Sequence, residues 1–200
     1  MTIAALKQLC SRIPWCEPDV LESTLELALE IAREGREGRR IGTLFTLGKT
    51  EAVLAASRAL ILDPLAGHTP ARTHISDPDL RGTIKELAQL DGAFVISELG
   101  TVVAAARYLD ASVEHIDLPL GFGSRHLAAA SISQALGVLA IVVSESGVVR
   151  VFHGGRIEAT LIPELWLLDR HHTQLSIGAA GGLEAQRLGV TAPALERGEP

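Results

Sequence analysis

The run Gly121-Phe122-Gly123-Ser124-Arg125-His126 passes straight into Leu127-Ala128-Ala129-Ala130-Ser131-Ile132-Ser133-Gln134-Ala135-Leu136. The second half reads as a helix, with Ala129, Ile132 and Leu136 on one side at helical spacing. The two glycines and Ser124 read as the turn and cap that start it. Its first turn conflicts with helix electrostatics. A helix N-terminus carries partial positive charge and unpaired N–H groups, so acidic residues belong there. This helix opens with Arg125 and His126 instead, and a cation in the first turn costs roughly 0.3–1 kcal/mol. The conflict disappears if an anion sits at that end, bound by the backbone N–H groups, the Ser124 hydroxyl and the Arg125 fork. The stretch is thus a phosphate site in outline. It can equally be read as a capped helix with a surface arginine.

Working outward, hydrophobic runs alternate with turn signals. Upstream, Gly42-Thr43-Leu44-Phe45-Thr46-Leu47-Gly48 is a strand bounded by glycines, and Thr50 to Ala59 a short helix. Residues 63–78 read as a long loop, whose His68 and His74 match no metal-ligand spacing. Asp77 caps a helix running to Leu90. Asp91-Gly92 turns into the strand Ala93–Ile96, and 101–106 returns as its hairpin partner. Downstream, 138–144, 148–153 and 156–162 are three successive strands with Glu145-Ser146-Gly147 and Gly154-Gly155 between them, which implies antiparallel pairing. Strands linked through helices earlier in the chain imply parallel neighbours. The predicted fold is α/β: a mixed parallel/antiparallel central sheet flanked by helices.

At the ends, residues 3–10 suggest a short helix, interrupted by Pro14 and Pro18. A helix from Asp19, capped by it, carries the apolar stripe Leu21, Leu25, Ala28, Leu29 and Ala32. Its charged end, Arg33 to Arg40, reads as solvated. Pro163 starts a last helix to about His172. The predicted organisation is an N-terminal segment 1–18, a domain 19–172 and a Gly- and Ala-rich tail 173–200, partly disordered.

Composition narrows the function classes. The 200 residues carry a net charge of −6, and 47% are hydrophobic. Lysine occurs only at positions 7, 49 and 85, so no clustered basic face supports nucleic-acid binding. The longest apolar run, 138–143, is far short of the ~20 residues of a membrane helix, so no membrane partner is expected. Cys10 and Cys16 fit neither a zinc nor a redox pair, which leaves reduced cysteines and a cytoplasmic location as the simplest expectation.

Two carboxylates flank buried strands: Asp91 before one and Glu145 after another. Such groups suit a divalent metal or a proton transfer, and each also suits a plain turn. Tyr108-Leu109 can stack on a planar ligand or simply cover the sheet edge.

Asp91-Gly92-Ala93 at a strand start, Tyr108-Leu109 at the next strand's end and Gly123-Ser124-Arg125-His126 at a helix start resemble, in that order, the diadenylate cyclase domain family. That family carries Asp-Gly-Ala and, about thirty residues later, Gly-Thr-Arg-His-Arg. Gly42-Thr43-Leu44-Phe45 is similar to its first strand, and Ile141-Val142-Val143-Ser144-Glu145 to its later Val-Ser-Glu segment. The resemblance runs from about residue 25 to residue 160. It departs at Ser124, where Thr is usual, at Leu127, where a second Arg is usual, and at Leu90, where the membrane-bound branch has His. The Leu127 departure bears on triphosphate affinity more than on reaction type.

The resemblance implies condensation of two ATP molecules into cyclic di-AMP, with release of two pyrophosphates, across a face-to-face homodimer, alone or within a higher oligomer. Asp91 would activate the 3′-hydroxyl, with Gly92 and Ala93 letting the backbone approach the nucleotide. Tyr108 and Leu109 would contact the adenine. Gly123, Ser124, Arg125 and His126 would hold phosphates, with Ser144 a further ATP contact. Asp91 and Glu145 would hold a Mg or Mn cation. It also implies a soluble, nearly stand-alone version of the domain. The alternative expectation is an adenine-nucleotide sensor of the same fold that has lost catalysis.

Overall fold

The structure, a computed structural model, describes residues 8–110, 116, 118, 119 and 121–168. The chain divides into two compact units. The second is Glu164–Pro200, of which 164–168 are described, all helical. The first, Met1–Pro163, carries everything below.

Helix α1 (Pro18–Glu34) starts on Glu17, with Pro18 in its first turn, where proline's missing N–H is no loss. Asp19 lies inside that turn and is not the cap expected of it. The apolar stripe is buried as its spacing requires, and Gly35, at φ +58°, ends the helix. Strand β1 (Thr43–Leu47) is buried along its whole length. Helix α2 (Thr50–Ala55) is shorter than the sequence implied. Residues Ser57–Ala59 leave it to form edge strand β2, paired antiparallel with Leu109–Arg107. Pairing with a distant strand overrides the local helical pattern there.

A loop and the 3-10 turn Pro70–Arg72 lead to α3 (Pro78–Leu87). Here the expected cap is present: Asp77 Oδ1 accepts from the N–H groups of Asp79 (2.8 Å) and Leu80 (3.3 Å). Strands β3 (Ala93–Ile96) and β4 (Val102–Leu109) form the expected hairpin. Helix α4 (Ser124–Leu136) leads into β5 (Leu139–Val143), β6 (Val149–His153) and β7 (Arg156–Leu161). The expected helices over 3–10 and 163–172 are described only in part, at 8–11 and 163–168, where both are helical. The tail lies outside the described residues.

The seven strands form one sheet in the order β2-β4-β3-β1-β5-β6-β7. Only β1 and β3 run parallel; all other pairs are antiparallel. The sheet is mixed and flanked by helices, as predicted. Helix α1 lies on β5 and β6, and α4 packs against β1, β5, β6 and β7. With β1, β3 and β5 buried on both faces, one face holds Leu44, Ala93, Val95, Ala140 and Val142 under α2 and α4. The alternate residues point to the other face, where Phe45 and Phe94 stack with centroids 5.2 Å apart.

The expectation of reduced cysteines is corrected: Cys10 and Cys16 are joined in a disulfide. Successive turns fold this segment back on itself, with Ile13 N–H on Cys10 O and Cys16 N–H on Ile13 O. They bring the two Cα atoms to 5.1 Å, within the range a disulfide spans. Trp15, inside this loop, packs its ring against Gly48, where a Cβ would run into the ring at Cζ3. No described helix is long and apolar enough to cross a membrane.

Candidate nucleotide site

The β3–β4 hairpin is irregular where it meets Asp91. Its register shifts between Ala93 and Val95, and Ala106 takes a left-handed conformation (φ +52°). The bulge leaves the Ala105 N–H to the carboxylate of Asp63, 3.2 Å from Oδ1. Gly92 is required opposite it. Its φ is +106°, and a Cβ there would lie 2.6 Å from the Ala106 carbonyl carbon. The Asp-Gly pair thus presses the start of β3 against the bulge and leaves the Asp91 carboxylate 87% exposed.

Helix α4 is capped by Gly123, with Ser124 as its first residue, so the Ser124 hydroxyl does not serve as the expected cap. Its C-terminus is tied down by Lys49 Nζ, which donates to the Leu136 carbonyl (2.6 Å). Arg125 reaches across the sheet end. Its Nη2 donates to Asp91 Oδ1 (3.3 Å) and its Nη1 to Glu145 Oε1 (3.1 Å). The two strand-end carboxylates, 34 and 20 residues away from Arg125, are bridged by one guanidinium.

A cleft of about 500 Å³ opens here. Seven of the expected residues line it: Asp91, Gly92, Ala93, Tyr108, Leu109, Ser124 and Arg125. Tyr108 is half exposed, with the Arg58 guanidinium 4.5 Å from its ring centroid. Leu44 and Ala128 are among its apolar walls, and Leu127, 53% exposed, stands at it as well.

The other expected residues lie apart from the lining. Ser144 shares its hydroxyl with Ser146 in the β5–β6 turn (2.9 Å). Glu145 reaches the site only through Arg125. His126, expected to hold phosphates, is buried, at 7% exposed. It packs between Phe122 and Phe152, with ring centroids at 4.8 and 6.1 Å, and its Nε2 accepts from Arg150 Nη1 (3.2 Å). Burial, with the charges of Arg150 and then Arg125, holds its pKa below the ordinary histidine value. A neutral ring accepting at Nε2 is consistent with that environment. His74 is structural: Nε2 pairs with the Leu99 carbonyl (2.9 Å) and Nδ1 with Ser76 Oγ (2.7 Å).

Sequence reasoning gave no site role to Gly42, Arg107 or Arg150. The contacts of all three are made across the fold. Among the described residues no three His, Cys, Asp or Glu side chains come together as a ready-made metal cage. Asp91 and Glu145 are nonetheless exposed hard oxygen donors. Mg²⁺ typically uses one or two carboxylates and completes its shell with water and substrate phosphates, and that donor set fits the pair.

A family model described as DisA bacterial checkpoint controller nucleotide-binding (DAC) matches residues 30–157. The chain belongs to the diadenylate cyclase family. It is 49% identical over 138 residues to a protein named diadenylate cyclase from Methanocaldococcus jannaschii, covering 68% of this chain and 43% of that one. It is 38% identical over 151 residues to another of that name from Haloferax volcanii, covering 75% and 55%. The chain thus matches about half the length of these diadenylate cyclases. Among solved structures, it is similar to a hypothetical membrane spanning protein from Bacillus cereus. The TM-score is 0.50 at 22% identity, over 70% of this chain and 62% of that one, a likeness of fold alone.

Proposed function

We propose that this domain condenses two ATP molecules into cyclic di-AMP and releases two pyrophosphates. The observation that carries the reading is the Asp91–Arg125–Glu145 bridge at the α4 N-terminus, on a cleft of nucleotide size. Membership of the diadenylate cyclase family and the two relatives of that name support it.

In each half-reaction a 3′-oxygen forms a bond to the α-phosphorus of the other ATP. The bond from that phosphorus to the β-bridging oxygen breaks, and pyrophosphate leaves. Such transfers need positioning and charge neutralisation more than covalent help. Asp91 takes the proton from the 3′-hydroxyl. Arg125 turns from the carboxylates to the phosphates, aided by the α4 dipole and the Ser124 hydroxyl. Tyr108 and Leu109 hold the adenine. His126, buried behind Arg125, orders the first turn of α4. Asp91 and Glu145 would hold a Mg or Mn cation, which supplies charge neutralisation at the phosphates.

Each ATP is both nucleophile and electrophile, so a pocket holding one ATP cannot close the ring. Two protomers facing each other about a two-fold axis satisfy the symmetry of the product. A second reading, an adenine-nucleotide sensor without catalysis, draws on Leu127, which places an apolar side chain at the cleft where the family has an arginine. Incubation with ATP and Mn²⁺, followed by chromatography, separates the two. Cyclic di-AMP with two equivalents of pyrophosphate is expected. Tight ATP binding with no product would establish the sensor.

A further inference from the structure

We propose that Arg107 is a nucleotide phosphate-binding residue of this cleft. The inference rests on the reading of the cleft as an ATP site. Two arginines line it, Arg125 and Arg107. Arg125 is already paired with two carboxylates, so this cluster carries a net negative charge that repels a polyphosphate. Arg107 has no carboxylate partner among the described residues. Its three hydrogen bonds go to neutral oxygens: Nε to Ser57 Oγ (3.1 Å), and Nη2 to the carbonyls of Leu54 (3.2 Å) and Ser57 (2.9 Å). Among the described residues its charge is therefore not cancelled by an acid.

The same bonds aim the side chain. The carbonyls lie at and just beyond the end of α2, where a cation is favoured by the helix dipole. The carbonyls engage Nη2 and the Ser57 hydroxyl engages Nε, and the described residues offer Nη1 no acceptor. Arg107 is also in register with Ala93, two residues from Asp91. A guanidinium fixed along one edge, with its other nitrogen unengaged beside the cleft, is prepared for an oxyanion at little further loss of side-chain freedom. Arg107 thereby supplies the uncompensated positive charge that Arg125 alone does not.

The neutral contacts also brace β4 against α2, so the test must separate a brace from a phosphate contact. Binding of ATP and of adenosine is measured by calorimetry without divalent cation, at two salt concentrations, for the wild-type chain and Arg107→Gln. Arg107→Gln is expected to weaken ATP by roughly ten- to hundredfold. Adenosine affinity should stay unchanged, and ATP affinity should become less sensitive to salt. Equal weakening of ATP and adenosine would show a brace and overturn the proposal, as would unchanged ATP affinity. If Arg107→Gln does not fold, Arg107→Lys is used, which keeps the charge. It should retain the wild-type salt dependence with adenosine unaffected, and an equal loss for both ligands would again overturn the proposal. A wild-type chain that binds neither ligand would remove the ATP reading itself, and this assignment with it. Wild-type preference for ATP with an indifferent Arg107→Gln removes only the assignment.

Discussion

Gly42 lies directly beneath the Arg125 guanidinium: a methyl group on its Cα would come within 2.8 Å of Nη1 and 3.3 Å of Glu145 Cγ. The residue just before β1 is therefore the seat on which the arginine rests while it spans two carboxylates. The obstructed atoms are mostly the far ends of flexible side chains, which can swing away. Gly42→Ala should keep its thermal midpoint within a few degrees of wild type, yet lose about tenfold or more in turnover, because misplacing a binding group by about 1 Å can cost 10²-fold. Full activity in Gly42→Ala would mean that this placement of Arg125 is not the working one.

Asp91 is exposed, and its side chain pairs with Arg125. Asp91→Asn should thus leave the fold intact and lower the rate of cyclic product formation by 10²-fold or more. Circular dichroism alongside a product assay checks both halves. A folded Asp91→Asn protein with near-wild-type turnover would take Asp91 out of the mechanism.

Leu127 is more than half exposed at the cleft, so an arginine there enters solvent and does not charge the core. Leu127→Arg should change stability by only about 0.5 kcal/mol in either direction. It should lower the apparent KM for ATP by adding a cation near the phosphates. An unchanged KM would show that the position does not meet the substrate.

His126 gives the fold a pH dependence of defined sign. Its folded pKa is lowered by burial and by Arg150 and Arg125, so the unfolded chain binds its proton first as pH falls. The stability it contributes is fully present above the ordinary histidine value of about 6.5 and is lost as pH falls through the lower folded value. The thermal midpoint should drop between pH 7 and pH 5, and His126→Phe should flatten that slope. An identical slope in His126→Phe would exclude His126 as its source.

If the working unit is a face-to-face pair, specific activity should fall as enzyme is diluted from micromolar to nanomolar at saturating ATP and metal. Mixing in folded, inactive Asp91→Asn chain should lower activity as the square of the wild-type fraction, provided subunits exchange and mixed pairs are dead. Size measured by light scattering at each concentration completes the test. Cyclic product made at constant specific activity by a demonstrated monomer rules out the pair.

The sequence by itself determined the parts. Apolar runs of strand length between Gly, Asp and Ser turns reported six segments that hide from water, and period-2 and period-3.6 spacing is a local consequence of burial. It gave away the antiparallel run β5–β6–β7, the Asp77 cap and the unusual opening of α4, because each is encoded within a few residues. It did not separate β2 from the end of α2, since Ser57–Ala59 is a strand only by virtue of Leu109–Arg107 beside it. Nor did local pattern show that β1 lies between β3 and β5, that Cys10 meets Cys16, or that His126 is enclosed by Phe122 and Phe152. Above all, only the tertiary structure showed one guanidinium, that of Arg125, bridging Asp91 and Glu145, and Arg107 without an acid among the described residues. Charge compensation is set by distance in space, and the chain brings these groups together only when the sheet has formed.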